Sequence, residues 1–221
     1  MFLLTVLLMA SCDGNRQQKN ASNSESENTT MIVAKETNNE VVLMGNSIIK
    51  GWSRFRPEFF ADKSFINKGI GGQTTSQMLA RFQRDVIDLK PRAVVILAGI
   101  NDIAENTGHI PIPATAQNIF TMAEMAKGHN IQVVLCSKLP ADDFPWRPGL
   151  NPQTKVPILN ALIEKYAQDN NLIYINYFSA MADTDNGLRD ELGYDGVHPN
   201  AVGYALMESL LVQALSFLQN K

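Results

Sequence analysis

Five short, nearly unbroken apolar runs separated by longer stretches of helical spacing dominate the chain after Glu40. The runs are Val41–Met44, Ser64–Asn67, Ala93–Ala98, Ile131–Cys136 and Leu172–Asn176. A strand with one face in water alternates apolar and polar residues. A strand that is apolar throughout is covered on both faces, as in a parallel sheet with helices packed on either side. The intervening stretches Thr74–Leu89, Ala114–Lys127, Gln153–Asn170 and Ala201–Gln219 carry apolar residues three and four apart; Met78, Leu79, Phe82, Val86 and Leu89 share one face. Strands alternating with helices in this way are βαβ units. The pattern therefore predicts an α/β fold, a three-layer α/β/α sandwich around a five-stranded parallel sheet. Right-handed crossovers place any ligand crevice at the carboxyl ends of the strands, where the winding reverses.

Composition narrows the function classes. Nineteen Lys and Arg stand against 22 Asp and Glu, and no basic stripe interrupts that balance, which argues against a nucleic-acid partner. The two cysteines, Cys12 and Cys136, supply neither a disulfide framework nor a multi-cysteine zinc site. Stability has to come from an apolar core. The first ten residues, MFLLTVLLMA, form an apolar run of signal-peptide length, short of a membrane span, followed by Ser11 and Cys12. Small residues before a cysteine after such a run resemble a bacterial lipoprotein processing site, although Met9 stands where leucine is usual. The expectation is a signal peptide over 1–11, lipidation of Cys12 and export to the bacterial periplasm or cell surface, with the lipid anchor as the only membrane contact. Residues 12–39, rich in Asn, Ser, Gln, Glu and Thr, lack the apolar surface to offset chain entropy and read as a disordered tether. Residues 40–221 then form the folded domain.

Each of the first three strands runs into a turn able to do chemistry. After the first comes Gly45-Asn46-Ser47-Ile48, which presents a serine hydroxyl at a helix start. After the second comes Lys68-Gly69-Ile70-Gly71-Gly72-Gln73-Thr74, whose glycines free backbone N–H groups to face a bound group. After the third comes Gly99-Ile100-Asn101-Asp102, with a neutral amide donor at Asn101. Taken singly, these are ordinary βα turn residues. A nucleophilic serine also needs a base and an orienting partner, and Asp195-Gly196-Val197-His198 sets a carboxylate three residues from an imidazole before the last helix.

These four blocks, in this order, resemble those of the SGNH hydrolases, the GDSL-like esterase/lipase family, over about Val41 to Leu215. The resemblance implies a flavodoxin-like sheet of order 2-1-3-4-5. It implies Ser47 as nucleophile, His198 as base and Asp195 as its orienting partner. The oxyanion donors would be the backbone of Ser47 and Gly72 and the side chain of Asn101. The family's first block usually reads Gly-Asp-Ser, whereas this chain has Asn46; asparagine keeps an acceptor oxygen of similar reach. No metal and no organic cofactor is called for.

The implied activity is ester hydrolysis through an acyl-enzyme, on short acyl groups such as acetyl esters of carbohydrate. The readings weighed beside it are a lysophospholipase or thioesterase, a sugar O-acyltransferase and a non-catalytic surface protein. The loop Asp142-Asp-Phe-Pro-Trp-Arg-Pro-Gly149 follows the fourth strand and should overhang the crevice, making Trp146 and Arg147 candidate substrate contacts. His109 and His129 read as surface and structural histidines, Cys136 as a buried apolar residue, and Trp52 as packing. Sequence is silent on oligomeric state.

Overall fold

The computed structural model describes residues 41–61 and 64–216, so the expectations for 1–11, Cys12 and 12–39 lie outside the described residues. Five parallel strands, β1 (Val41–Gly45), β2 (Phe65–Gly69), β3 (Ala93–Leu97), β4 (Gln132–Cys136) and β5 (Ile173–Ile175), form one sheet in the order β2-β1-β3-β4-β5. This is the predicted 2-1-3-4-5 arrangement. The helices are α1 (Ser47–Phe55), α2 (Thr75–Asp85), α3 (Ile100–Ile103), α4 (Ile112–Gly128), α5 (Pro152–Asp169), α6 (Tyr177–Met181) and α7 (Ala201–Ala214). The chain steps from β1 to β2 in one direction and from β2 through β3 and β4 to β5 in the other. Right-handed crossovers therefore send α1 to one face of the sheet and α2, α4 and α5 to the opposite face. The packing agrees: α4 lies between α2 and α5, while α7 packs against α1.

Burial follows sheet position. Every residue of β1 and β3 is buried, whereas β2 is only half-buried along its length because it is an edge strand with a neighbour on one side. The prediction of strands buried on both faces thus holds for the centre of the sheet and relaxes at its edge.

The last helix is described to Ala214 where Ala201–Gln219 was expected, the short helices α3 and α6 were not expected, and α2 and α1 differ in ways that packing explains. Helix α2 stops at Asp85, and Ile87–Leu89 tightens into a 3₁₀ turn before Lys90 in the left-handed region and Pro91, since proline opposes a helical residue before it. Helix α1 was legible only as a helix start at Ser47. It spans nine residues and carries Gly51, a poor helix former. Tertiary contact requires that glycine: a Cβ there would sit 2.6 Å from the Tyr204 hydroxyl, which donates to the Ile48 carbonyl at 2.7 Å. Helix α7 is thereby tied to the first turn of α1.

Candidate active site

Strand register brings three turns together. Gly45 at the end of β1 lies opposite Gly69 of β2 on one side and Leu97 of β3 on the other. Ser47 is two residues beyond Gly45, Gly72 three beyond Gly69, and Asn101 four beyond Leu97. Residues from three separate segments thus converge at the carboxyl ends of the strands.

The serine turn is sharp and tightly packed. A Cβ on Gly45 would fall 2.3 Å from Ile49 Cγ1 and 2.8 Å from the Leu97 carbonyl, so only glycine fits between β1 and α1. Asn46, 1% exposed, accepts the Ile48 N–H through Oδ1 at 3.1 Å and caps the helix. That is the acceptor role open to an aspartate at the same position. Ser47, the first residue of α1, has a backbone N–H with no acceptor within the helix and sits at its positive end.

The last loop brings an imidazole and a carboxylate to the serine. Ser47 Oγ lies 2.9 Å from His198 Nε2, and His198 Nδ1 lies 2.8 Å from Asp195 Oδ2. An ionised carboxylate only accepts, so Nδ1 carries the proton and Nε2 is left to accept from the serine hydroxyl. Asp195 Oδ1 accepts the backbone N–H of His198 at 2.7 Å and of Val197 at 3.1 Å, locking the carboxylate to its own loop. A hydroxyl bonded to an imidazole that a carboxylate holds in one tautomer is chemically able to become an oxygen nucleophile.

The turns after β2 and β3 carry the remaining predicted residues, Gly72 and Asn101. Asn101, 2% exposed, gives one Nδ2 hydrogen to the Gln73 carbonyl at 2.9 Å, which fixes the amide plane and leaves its second hydrogen for another acceptor. Gly72 has φ +76°, a left-handed conformation that favours glycine, and its carbonyl accepts Asn106 Nδ2 at 3.1 Å. Beside Asn101, buried Asp102 accepts the Thr75 N–H at 2.9 Å and the Thr75 hydroxyl at 2.5 Å, pinning the start of α2 to the segment after β3. Burial pushes the Asp102 carboxyl upward.

At the rim, Trp146 is 45% exposed with its ring centre 6.0 Å from that of His198, and its indole N–H donates to Asn106 Oδ1 at 3.1 Å. Arg147 donates to the Glu105 carbonyl, so it is brought to the segment after α3 and anchors its loop there. Tyr194, 60% exposed, stacks on His198 at 5.8 Å and on Phe55 at 6.0 Å. Sequence reasoning passed over Tyr194, although it stands next to Asp195. It also passed over Asn106, whose two contacts join the Trp146 indole to the Gly72 peptide across long sequence separations.

Other titratable and aromatic residues have partners of their own. His109 pairs with Glu105 on the surface, and His129 bonds the Met125 carbonyl. Cys136 is buried, which pushes its thiol up to about 12. Trp52 is buried against Phe59, Phe60 and Tyr204. Lys138 is fully buried at the end of β4 and donates to the Cys136 carbonyl at 2.7 Å; burial pushes its ammonium down to about 8.

Comparison with known proteins identifies the family. The sequence profile of the GDSL-like lipase/acylhydrolase family matches residues 43–206. The crystal structure of a GDSL-like lipase from Bacteroides thetaiotaomicron superposes with a TM-score of 0.80 at 45% identity, covering 82% of this chain and 89% of that one. An acetylxylan esterase from Geobacillus stearothermophilus is 24% identical over 163 residues, 69% of this chain and 72% of its own. A Bacillus subtilis protein described as the uncharacterized lipoprotein YqeF is 36% identical over 78 residues, and that match spans about a third of either chain.

Proposed function

This chain belongs to the GDSL-like lipase/acylhydrolase family, and we propose that it is a serine esterase in which Ser47 attacks the ester carbonyl and His198 takes its proton. The observation that carries this reading is the continuous relay from Ser47 Oγ to His198 at 2.9 Å and from His198 to Asp195 at 2.8 Å. As the tetrahedral intermediate forms, its oxyanion is met by the N–H groups of Ser47 and Gly72 and the free amide hydrogen of Asn101. These donors are fixed before charge develops, so no reorganisation cost falls within the chemical step. His198 then returns the proton to the leaving alcohol, an acyl-enzyme forms on Ser47, and water activated by His198 releases the acid.

The acyl group we assign is short, acetyl above all, and the alcohol a carbohydrate. Exposed Trp146 and Tyr194 beside His198 offer flat, amphipathic surfaces to a sugar ring. Phe59 and Phe60 are committed to packing with Trp52 and Phe65 rather than to lining an acyl groove. The relative named an acetylxylan esterase favours the same class. We further read residues 40–221 as the hydrolase domain and 12–39 as its tether, with Cys12 lipidated at the membrane; the partial match to a protein described as a lipoprotein supports the anchor. Among the described residues, no helix is long and apolar enough to cross a membrane.

The test compares purified wild type and Ser47→Ala on 4-nitrophenyl acetate, 4-nitrophenyl decanoate and acetylated xylo-oligosaccharides. Acetate turnover lost in the variant, with acetate released from the oligosaccharide, is the expected result. Turnover that survives in Ser47→Ala refutes the nucleophile, and a preference for the decanoate refutes the short-acyl assignment.

A further inference from the structure

Helix α2 carries an arginine that the hydrolytic relay does not use. Arg81 is 7% exposed, and its guanidinium spreads over four acceptors. Nε donates to Gln73 Oε1 at 2.6 Å, and Nη2 donates to the carbonyls of Gly45 at 3.1 Å and Lys68 at 2.9 Å. Nη1 donates to Asp85 Oδ2 at 2.8 Å, and the Arg84 and Arg81 guanidinium groups hold the Asp85 carboxyl down at about 2. Asp85 is therefore ionised throughout the neutral range.

Three of these contacts lie on the segments that carry the oxyanion donors. Gly45 stands two residues before Ser47, Lys68 four before Gly72, and Gln73 directly after Gly72. The Gln73 carbonyl in turn accepts from Asn101 Nδ2 at 2.9 Å. The Ser47 N–H, the Gly72 N–H and the Asn101 amide are thus all referred to one rigid, planar group. We propose that Arg81 and Gln73 are positioning residues that fix the spacing of the three oxyanion donors, with Gln73 as the joint between the guanidinium and both Gly72 and Asn101. This rests on the reading of Ser47, Gly72 and Asn101 given above.

Two details separate a positioning role from simple satisfaction of buried carbonyls. The Gly45 carbonyl already accepts the Ile70 N–H at 3.2 Å, so the arginine is not needed to pair it. The Arg81 bond to Gln73 runs between two side chains and satisfies no backbone group, yet it is the shortest of the four. Its physical effect is to restrain the turn that bears Gly72. A donor displaced by a fraction of an ångström loses much of its hold on the transition state, while ground-state binding of the ester is barely altered.

The experiment uses the full chain and the variants Gln73→Ala, Gln73→Glu and Arg81→Lys. It measures kcat and KM on 4-nitrophenyl acetate, Tm, and labelling of Ser47 by a fluorophosphonate followed by mass spectrometry. Gln73→Ala should lower kcat about 10- to 100-fold, below the full loss of one donor, with KM changed by less than about threefold and Tm nearly unmoved. Gln73→Glu keeps an acceptor for Arg81 Nε and should recover kcat to within about threefold of wild type. Arg81→Lys offers a point charge in place of a fork and should lose at least as much kcat as Gln73→Ala. A Gln73→Ala kcat within about twofold of wild type overturns the proposal. So does a loss that tracks Tm and is not restored by Gln73→Glu, which would mark a structural role alone. Absence of label on Ser47 in the wild type would instead refute the reading of the site on which the proposal stands.

Discussion

Replacing Asp195 by asparagine should disable the enzyme through a tautomer rather than through lost contacts. Oδ1 of Asp195 accepts two backbone N–H groups, from His198 at 2.7 Å and Val197 at 3.1 Å. In Asp195→Asn only the amide oxygen can meet them, so the NH₂ group is forced into the Oδ2 position, 2.8 Å from His198 Nδ1. Facing a donor, Nδ1 must give up its hydrogen, and the proton moves to Nε2, the atom 2.9 Å from Ser47 Oγ. An imidazole protonated there cannot take the serine proton. The comparable substitution in serine proteases lowers kcat by about 10⁴-fold, which corresponds to about 5 kcal/mol of barrier. The fold should be nearly untouched, because the loop keeps both backbone bonds. The assay is 4-nitrophenyl acetate hydrolysis, in which the leaving phenolate needs no proton, so that both acylation and deacylation report on His198 as a base, run beside a thermal melt. A variant within about tenfold of wild type would refute the assigned tautomer, and so would activity lost only in step with the fold.

Asn101→Ala should lower kcat on the order of 100-fold or more, with a smaller change in KM, because the donor removed acts on the developing oxyanion; steady-state kinetics on the same ester measures it. Trp146→Ala should raise KM for acetylated xylo-oligosaccharides and leave 4-nitrophenyl acetate turnover close to wild type, a contrast that equal effects on both substrates would contradict. Burial pushes Lys138 down to about 8 from its ordinary 10.5, so between those values the unfolded chain holds a proton that the folded chain lacks. The destabilisation is complete below pH 8 and is relieved as pH rises to 10.5, so the stability of wild type relative to Lys138→Met should rise by up to about 3 kcal/mol across that window in denaturant titrations. Tyr204→Phe removes the bond to the Ile48 carbonyl and should cost about 1 kcal/mol, a Tm decrease of about 2–4 °C by calorimetry.

Much of this protein was legible in its sequence because its strands are short and buried. Apolar runs such as Ala93–Leu97 admit one reading when helical stretches separate them, and the handedness of crossovers then leaves few topologies. The turns following β1, β2 and β3 could be ranked as chemical because serine, glycine and asparagine there have defined donor and acceptor roles, and the Asp195-to-His198 spacing is local enough to read directly. What remained hidden depends on residues far apart in sequence. Gly51 argues against a helix until the Tyr204 hydroxyl is seen filling the space of its missing Cβ. Asn106 is an unremarked polar residue until it is found between the Trp146 indole and the Gly72 carbonyl. Arg81 reads as one more exposed helical cation until its guanidinium is seen on Gln73, Gly45 and Lys68. Periodicity and turn chemistry are properties of neighbours along the chain, so the sequence alone determined the sandwich, and the order of the four blocks carried the family resemblance. Which side chains touch those blocks is set by contacts closed across the sheet ends, and only the tertiary structure decided them.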